Sequence, residues 1–339
     1  MQKDFHYYTM YQLARLAGFR GGDSETIGYA SQYVDDSTES EPIVPFEDQQ
    51  FDTVRTAHYN LEAFDWNVQK KIYMPFHFLP TAIRWASPVD FSYCTKWAQA
   101  DDPTSLAHLL FEDALTESTR KFRLIRMGVA LHTIADTFAH FGFSGRHHDE
   151  NNVGKIEHAK KGGGWKVQFF SSYIADVFVP SIGHVEASSY PDYPYLKWRY
   201  TRGDGSQKTR DNLKYSLNGV NYIYNKLKAV RAPSNSLSDL SQEHPEDFKR
   251  IKALLSKTGD LDERIQGWKE YTHATQYDKT TWRKAALKGD HVEWDRMSPS
   301  QMRVHTQKLR GKAGFDQSKW AYFHRAAMKQ RSLVLGWIN

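Results

Sequence analysis

The sequence is nearly devoid of cysteine. The single thiol among its 339 residues, Cys94, excludes an internal disulfide and a cysteine-rich zinc site. Any bound metal must then be held by His, Asp and Glu, a donor set that points to a catalytic rather than a structural ion. Long apolar runs are missing as well, and none approaches the roughly 20 residues of a membrane span. The first residues, MQKDFHYYTMYQLARLAGF, lack an apolar core and a small-residue cleavage site. No signal peptide is expected, and the chain reads as cytoplasmic. Neither sign of charge dominates: 45 Lys and Arg against 40 Asp and Glu leave a net +5, and the basic residues form no block. That permits a weak attraction to phosphate-bearing partners without indicating one. Repeats, low-complexity tracts and alternating strand patterns are absent or scarce.

What is present is helical periodicity. The spacing predicts a helix over 7–18 with Gly18 as its stop. A second opens at Asp23 or Ser24 as cap, with Ile27, Ala30 and Val34 on one face. Residues 37–57 read as loop or short strands. PTSLAHLLFEDALT (103–116) is helical with Pro103 in its first turn, and the strongest helix runs from about 118 to 141. Residues 142–165 read as a long loop rich in glycine, charge and histidine. A helix ending near Pro180 follows, then an irregular aromatic stretch. Later helices are expected at 208–230, 245–257, 260–275 and 318–337, with a Ser- and Pro-rich linker between 231 and 245. The expected fold is all-α: a helical catalytic domain over 1–230, with 231–339 packed on it as a helical extension, or the two continuous as one domain. Aromatic residues make up 14% of the chain, enough to fill helix seams or to line a cleft.

The chemistry concentrates in LHTIADTFAHFGFSG, residues 131–145. Four residues of α-helix advance about 400°, so His132, Asp136 and His140 share one face. One such histidine in an apolar helix is ordinarily a satisfied core residue. Three ligand-type residues in register among Leu131, Ile134, Ala135, Phe138 and Phe141 point instead to metal binding, with Asp136 able to bridge two ions. Other stretches offer similar donors: Asp4 and His6 in DFH, Asp35 and Asp36 in SQYVDDS, and His184, Glu186 and Asp192 in SIGHVEASSYPD. His58 and His77 also lie among apolar or aromatic neighbours, and each reads equally as a ligand or a core histidine.

In this order the donors resemble those of the zinc-dependent phospholipases C and the related zinc-dependent single-strand nucleases of fungi and plants. MQKDFHYY, YASQYVDDS and GFSG together look similar to a bacterial branch of that superfamily. The resemblance implies an all-helical bundle with long irregular loops, holding two or three zinc ions. His132 and Asp136 match the family's H-x-x-x-D helix, and His140 its following histidine. His184 in GHVE matches its Gly-His loop, with Glu186 or Asp192 as the paired carboxylate. His6 matches the early histidine, Asp35 or Asp36 the aspartate, and His58 or His77 the second histidine. In secreted relatives a terminal tryptophan exposed by signal cleavage binds zinc. This chain begins at Met1, so Asp4 is the expected substitute. The interval between Asp136 and His140 is also shorter than in the family.

Ions roughly 3.5–4 Å apart suit phosphate ester hydrolysis, because they activate a bridging water and neutralise phosphate oxygens. Asp35 or Asp36 would orient that water or accept its proton. Arg146, Lys155 or Lys160 could steady the phosphate, although a solvated loop explains them equally. The expected substrate is a phosphodiester, either a phospholipid or single-stranded nucleic acid. Tyr and Trp residues near 190–200 suit both. Two other readings compete. RHHDE (His147, His148, Asp149) could serve a histidine–aspartate phosphohydrolase, although that family carries its doublet on a helix. Alternatively, the metals only stabilise an interaction protein.

Overall fold

The computed structural model describes residues 1–47, 49–57, 65–81, 94–96, 98, 102, 104–160, 162–167, 187, 190–232, 237–289 and 297–338. At its centre lies the helix Arg120–His140, buried at every position from Leu124 to His140. An amphipathic surface helix shows one apolar stripe, whereas this one is packed on all sides. The helix Gly21–Asp36 crosses it at close range because Gly128 has no side chain. A Cβ there would stand 2.5 Å from the Ile27 carbonyl oxygen and 2.6 Å from Ala30 Cβ. This near contact sets Asp35 opposite His132.

Helix starts depart from expectation in instructive ways. The first helical segment begins at Asp4 and is a π-helix through Thr9, continuing as α-helix over Met10–Leu16. Thr9 Oγ1 donates to the Asp4 carbonyl at 2.9 Å, five residues back, which suits the wider turn. The next helix is capped at Arg20 rather than at Asp23 or Ser24, and the Arg20 carbonyl accepts from both of their amides. A second π-helical turn, Gln69–Tyr73, leads through Met74–Phe76 to His77. π-Helical insertions shift side-chain phase by part of a turn and often mark functional positions. Here both precede a histidine of the cluster or contain one.

The all-α expectation is overturned. An antiparallel four-stranded sheet has the order Trp165–Val167, Val153–Ala159, Lys197–Arg202, Gln207–Asp211, and two small hairpins pair Ile43–Phe46 with Gln49–Phe51 and Leu287–Lys288 with Arg310–Gly311. The fold is mixed α/β. The sheet escapes periodicity analysis because its strands are short and pair charge with charge. Glu157 faces Arg199 across the register, with Arg199 Nε donating to Glu157 Oε2 at 2.7 Å. Its hairpin signals were nevertheless present: the Gly162–Gly164 run at positive φ, and Asp204-Gly205 between the last two strands. The sheet also takes residues 208–211 from the expected 208–230 helix, which starts at Asn212 with Asp211 as its N-cap.

Described residues after 231 contribute to the same core as the first half of the chain. One hydrophobic core contains Leu13, Ile27 and Ile134 together with Trp268, Trp320 and Val334. The last helix, Lys319–Ile338, reaches the central helix directly: Gln330 Nε2 donates to Thr133 Oγ1 and to the Pro75 carbonyl, both at 2.8 Å. The linker region is anchored as well, with Leu240 fully buried. A smaller core of Phe78, Phe143, Ile156, Trp198 and Tyr200 lies under the sheet. Among the described residues no helix is long and apolar enough to cross a membrane.

Candidate metal centre

His132, Asp136 and His140 face one point, as their spacing predicts. His132 Nε2 lies 3.3 Å and His140 Nδ1 3.6 Å from Asp136 Oδ2. The remaining groups arrive from distant parts of the chain. His6 Nε2 lies 3.2 Å from Asp136 Oδ1, and His77 Nδ1 3.2 Å from Asp136 Oδ2. Asp35 Oδ1 stands 3.7 Å from His132 Nε2 and 3.8 Å from His77 Nδ1, with Asp35 Oδ2 4.0 Å from His6 Nε2. Asp192, on a short 3-10 turn, places Oδ1 3.0 Å from His140 Nε2. Two overlapping triads, His6–Asp35–His132 and His77–His132–Asp136, each keep three donor atoms within 4.8 Å of one another. Two histidines with one carboxylate are a zinc-type donor set that leaves a coordination position open.

Tautomers sharpen the picture, because a backbone carbonyl can only accept. His77 Nε2 must donate to the Thr56 carbonyl at 2.9 Å, so the lone pair of neutral His77 is on Nδ1, facing Asp136. Likewise His140 Nδ1 donates to the His77 carbonyl at 2.8 Å, which turns the Nε2 lone pair towards the Asp192 carboxylate. In their neutral forms both rings thus present an acceptor to a carboxylate, and His77 Nδ1 also lies 3.3 Å from His132 Nε2. Such an arrangement repels itself unless positive charge lies between the groups. The Met1 ammonium supplies some of it, 2.7 Å from Asp136 Oδ1 and 2.9 Å from Asp192 Oδ1.

The electrostatics agree with ligand-ready side chains. Burial holds His6 and His140 below the usual imidazole range, with His132 also pressing His6 down. The His6 and His132 rings stack with centroids 3.9 Å apart. Burial works to raise Asp136, but the Met1 ammonium and the surrounding histidines outweigh it and hold the carboxyl well below its ordinary value. Asp35 behaves oppositely: burial, with Asp136 adding, pushes it up to about 8 against the pull of His77. A cation bound between the two carboxylates would lower it again. The Met1 amine is pushed up to about 11, because Asp136, Asp192 and Asp35 outweigh its burial.

Neighbouring groups hold parts of the cluster in place. Phe78 stacks on His140 at 4.7 Å. Buried Arg210 donates to the carbonyls of Ala139 and Phe141, closing the central helix where His140 ends it. Among the described residues, Nδ1 of His6 and of His132 is buried without a hydrogen-bond partner. A cavity of about 350 Å³ opens on the cluster, lined among others by Asp35, Asp36, His77, Asp136, His140 and Asp192.

Other expected site residues fall elsewhere. Asp4 does not substitute for a terminal ligand: its carboxylate turns away to a buried ion pair with Arg264, and its Oδ1 accepts from the Phe5 amide at 3.0 Å. The cost of burying a charge makes that pairing almost obligatory. Asp36 lines the cavity, yet its Oδ2 is held by Gln32 Nε2 at 3.0 Å and by Tyr277 Oη at 2.7 Å. Asp35 is thus the one that reaches the histidines. His58, His184 and Glu186 lie outside the described residues. His148 pairs with Glu150 at 3.1 Å, and neither it nor His147 or Asp149 lines the cavity. Arg146 is committed to Glu150, and Lys155 stands 3.8 Å from Glu157. Neither these two nor Lys160 lines the cavity. Sequence reasoning missed the Met1 amine, Lys3 and Gln32 at the cavity wall. Only the position of Lys3 between the DFH stretch and the chain start hinted at it.

No curated protein and no solved structure matches this chain. A family profile covers residues 1–338, and the chain belongs to the family of unknown function DUF6765.

Proposed function

We propose that the protein is a metal-dependent phosphodiesterase, zinc being the best fit to its His and Asp donors. The observation that carries the reading is the inward-facing set of acceptors: the Nδ1 lone pair of His77 and the Nε2 lone pair of His140 aimed at Asp136 and Asp192 beside a cavity. His6, His77, His132, Asp136, His140 and Asp192 would hold the ions, with Asp136 shared between positions because its two oxygens face different histidines. The bound ions supply charge neutralisation for phosphate oxygens and acidify water. Asp35, with a quarter of its side-chain surface open, is the carboxylate placed to orient the attacking water and take its proton. The resemblance of the ligand order to zinc-dependent phospholipases C and nucleases supports the same class, with a phospholipid or single-stranded nucleic acid as substrate.

The test is metal analysis of the purified protein, followed by assays on a chromogenic phosphodiester, a choline phospholipid and single-stranded DNA. Each assay is run after chelation and again after zinc is returned. Turnover that disappears with chelation and returns with zinc is expected. Zinc-loaded protein that cleaves none of the three would reject catalysis and leave a metal-stabilised binding protein.

A further inference from the structure

Beside the metal centre, one wall of the cavity combines groups that catalysis does not use. Lys3 is the only Lys or Arg among the described residues lining the cavity. Its ammonium lies 5.5 Å over the Tyr277 ring, and among the described residues it has no ion-pair partner. Asp36 lines the same cavity. Both of its hydrogen bonds, from Gln32 and Tyr277, fall on Oδ2, so Oδ1 remains open as an acceptor. The donors are fixed in sense: a carboxylate only accepts, so the Gln32 amide must present Nε2 to it. That leaves Gln32 Oε1 as a second acceptor, buried in this wall without a partner among the described residues. Burial, with Asp36 adding, raises Tyr277 well above the ordinary phenol value, which keeps its hydroxyl a donor.

A lysine and an aspartate that share a small cavity without neutralising each other suit a ligand that is anionic at one end and rich in donors at the other. We infer that Lys3, Asp36 and Gln32 form a recognition subsite for a phosphate ester whose alcohol carries an O–H or N–H donor. Lys3 attracts the phosphoryl oxygens, and the Asp36 carboxylate, held rigid by Gln32 and Tyr277, accepts from the alcohol. A cavity of about 350 Å³ fits a small ester or a lipid headgroup. The inference rests on the metal-centre reading and adds the substrate class to it.

Calorimetry on the zinc-loaded full chain tests it with three monoesters: sn-glycerol 3-phosphate, phosphoethanolamine and ethyl phosphate. A hydrogen bond to a charged acceptor is worth enough to separate ligands by roughly tenfold or more. The first two should therefore bind at least about tenfold tighter than ethyl phosphate. Asp36→Ala should erase that preference while leaving the ethyl phosphate affinity within about twofold, and Lys3→Met should weaken all three by roughly tenfold at unchanged zinc content. Displacement by phosphatidylglycerol vesicles or by glycerophosphoethanolamine tells a lipid-borne ester from a soluble one. Displacement by either supports the subsite, and displacement by neither counts against it. Zinc binding with equal affinity for the three monoesters, or a preference that survives Asp36→Ala, overturns the subsite alone. Failure to bind zinc overturns the metal centre and the subsite together.

Discussion

Asp136 and Glu39 are both buried carboxylates, and their surroundings could hardly differ more. Glu39 meets only donors: Tyr33 Oη at 2.8 Å, Ser37 Oγ at 3.0 Å, and the Arg283 guanidinium at 3.6 Å. Trp320 Nε1 extends the network to the last helix by donating to Tyr33 Oη at 3.2 Å. Both oxygens of the carboxylate have their complement within the chain, as a structural site requires. Asp136 is instead ringed by imidazoles, two of which aim a ring nitrogen at a carboxylate while the other nitrogen donates to a backbone carbonyl. A network that is complete in itself stabilises a fold. On the metal-dependent function proposed above, a network that becomes complete when a cation enters is organised for binding. Burial alone would rank the two carboxylates alike, and the sign of their neighbours tells them apart.

Four substitutions or conditions press on this contrast. The largest effect is expected from Asp136→Asn, which removes the charge that faces several ligands at once. At least one zinc equivalent should be lost, and activity should fall by about 10³ or more, read by metal analysis beside the phosphodiester assay. Retention of full metal content would put the centre elsewhere. Asp35→Asn should keep most of the metal and still slow turnover by roughly 10²–10⁴. If zinc leaves in step with activity, Asp35 is a ligand rather than a base.

The donor-satisfied cluster should respond in stability, not in metal content. His324 packs beside it, its Nδ1 accepting from the Val54 amide at 3.0 Å and its Nε2 buried without a partner. Burial pushes its pKa down to about 4, although Glu39 pulls the other way. Between about 4 and the ordinary 6.5, the unfolded chain binds a proton that the folded chain refuses. Stability is therefore present above pH 6.5 and is lost as the pH falls through that window, by up to about 3 kcal/mol. Denaturant midpoints at pH 7 and pH 4.5 should show a smaller difference for His324→Gln than for the native chain, and an equal difference would reject the assignment. The smallest effect is expected from Glu39→Gln, which leaves the donors partly satisfied. It should cost roughly 1–3 kcal/mol in denaturant midpoint at unchanged zinc content. A loss of zinc there would show that the two clusters are one system.

The legible parts of this protein were the local ones. The helix 118–141 was found within a few residues of Arg120–His140, and 245–257, 260–275 and 318–337 correspond to Pro245–Leu255, Leu261–Thr272 and Lys319–Ile338. The grouping of His132, Asp136 and His140 follows from helical spacing, which depends on nothing beyond the helix. The sheet was lost because its strands run three to seven residues and place charge on half-exposed positions. Little hydrophobic alternation then remains to detect.

By itself the sequence determined the donor set, His and Asp with no thiolate, and one helical face that carries three of the donors. Those facts need only residue identity and an i, i+4 repeat. Which distant donors complete the centre was decided by tertiary structure. His6 and Asp136 are 130 residues apart yet 3.2 Å from each other. The close crossing at Gly128 selects Asp35 over Asp36, and Arg264 draws Asp4 away. Partner choice among buried charges depends on desolvation and on which countercharge the packing supplies, and neither is a property of a residue's neighbours in sequence.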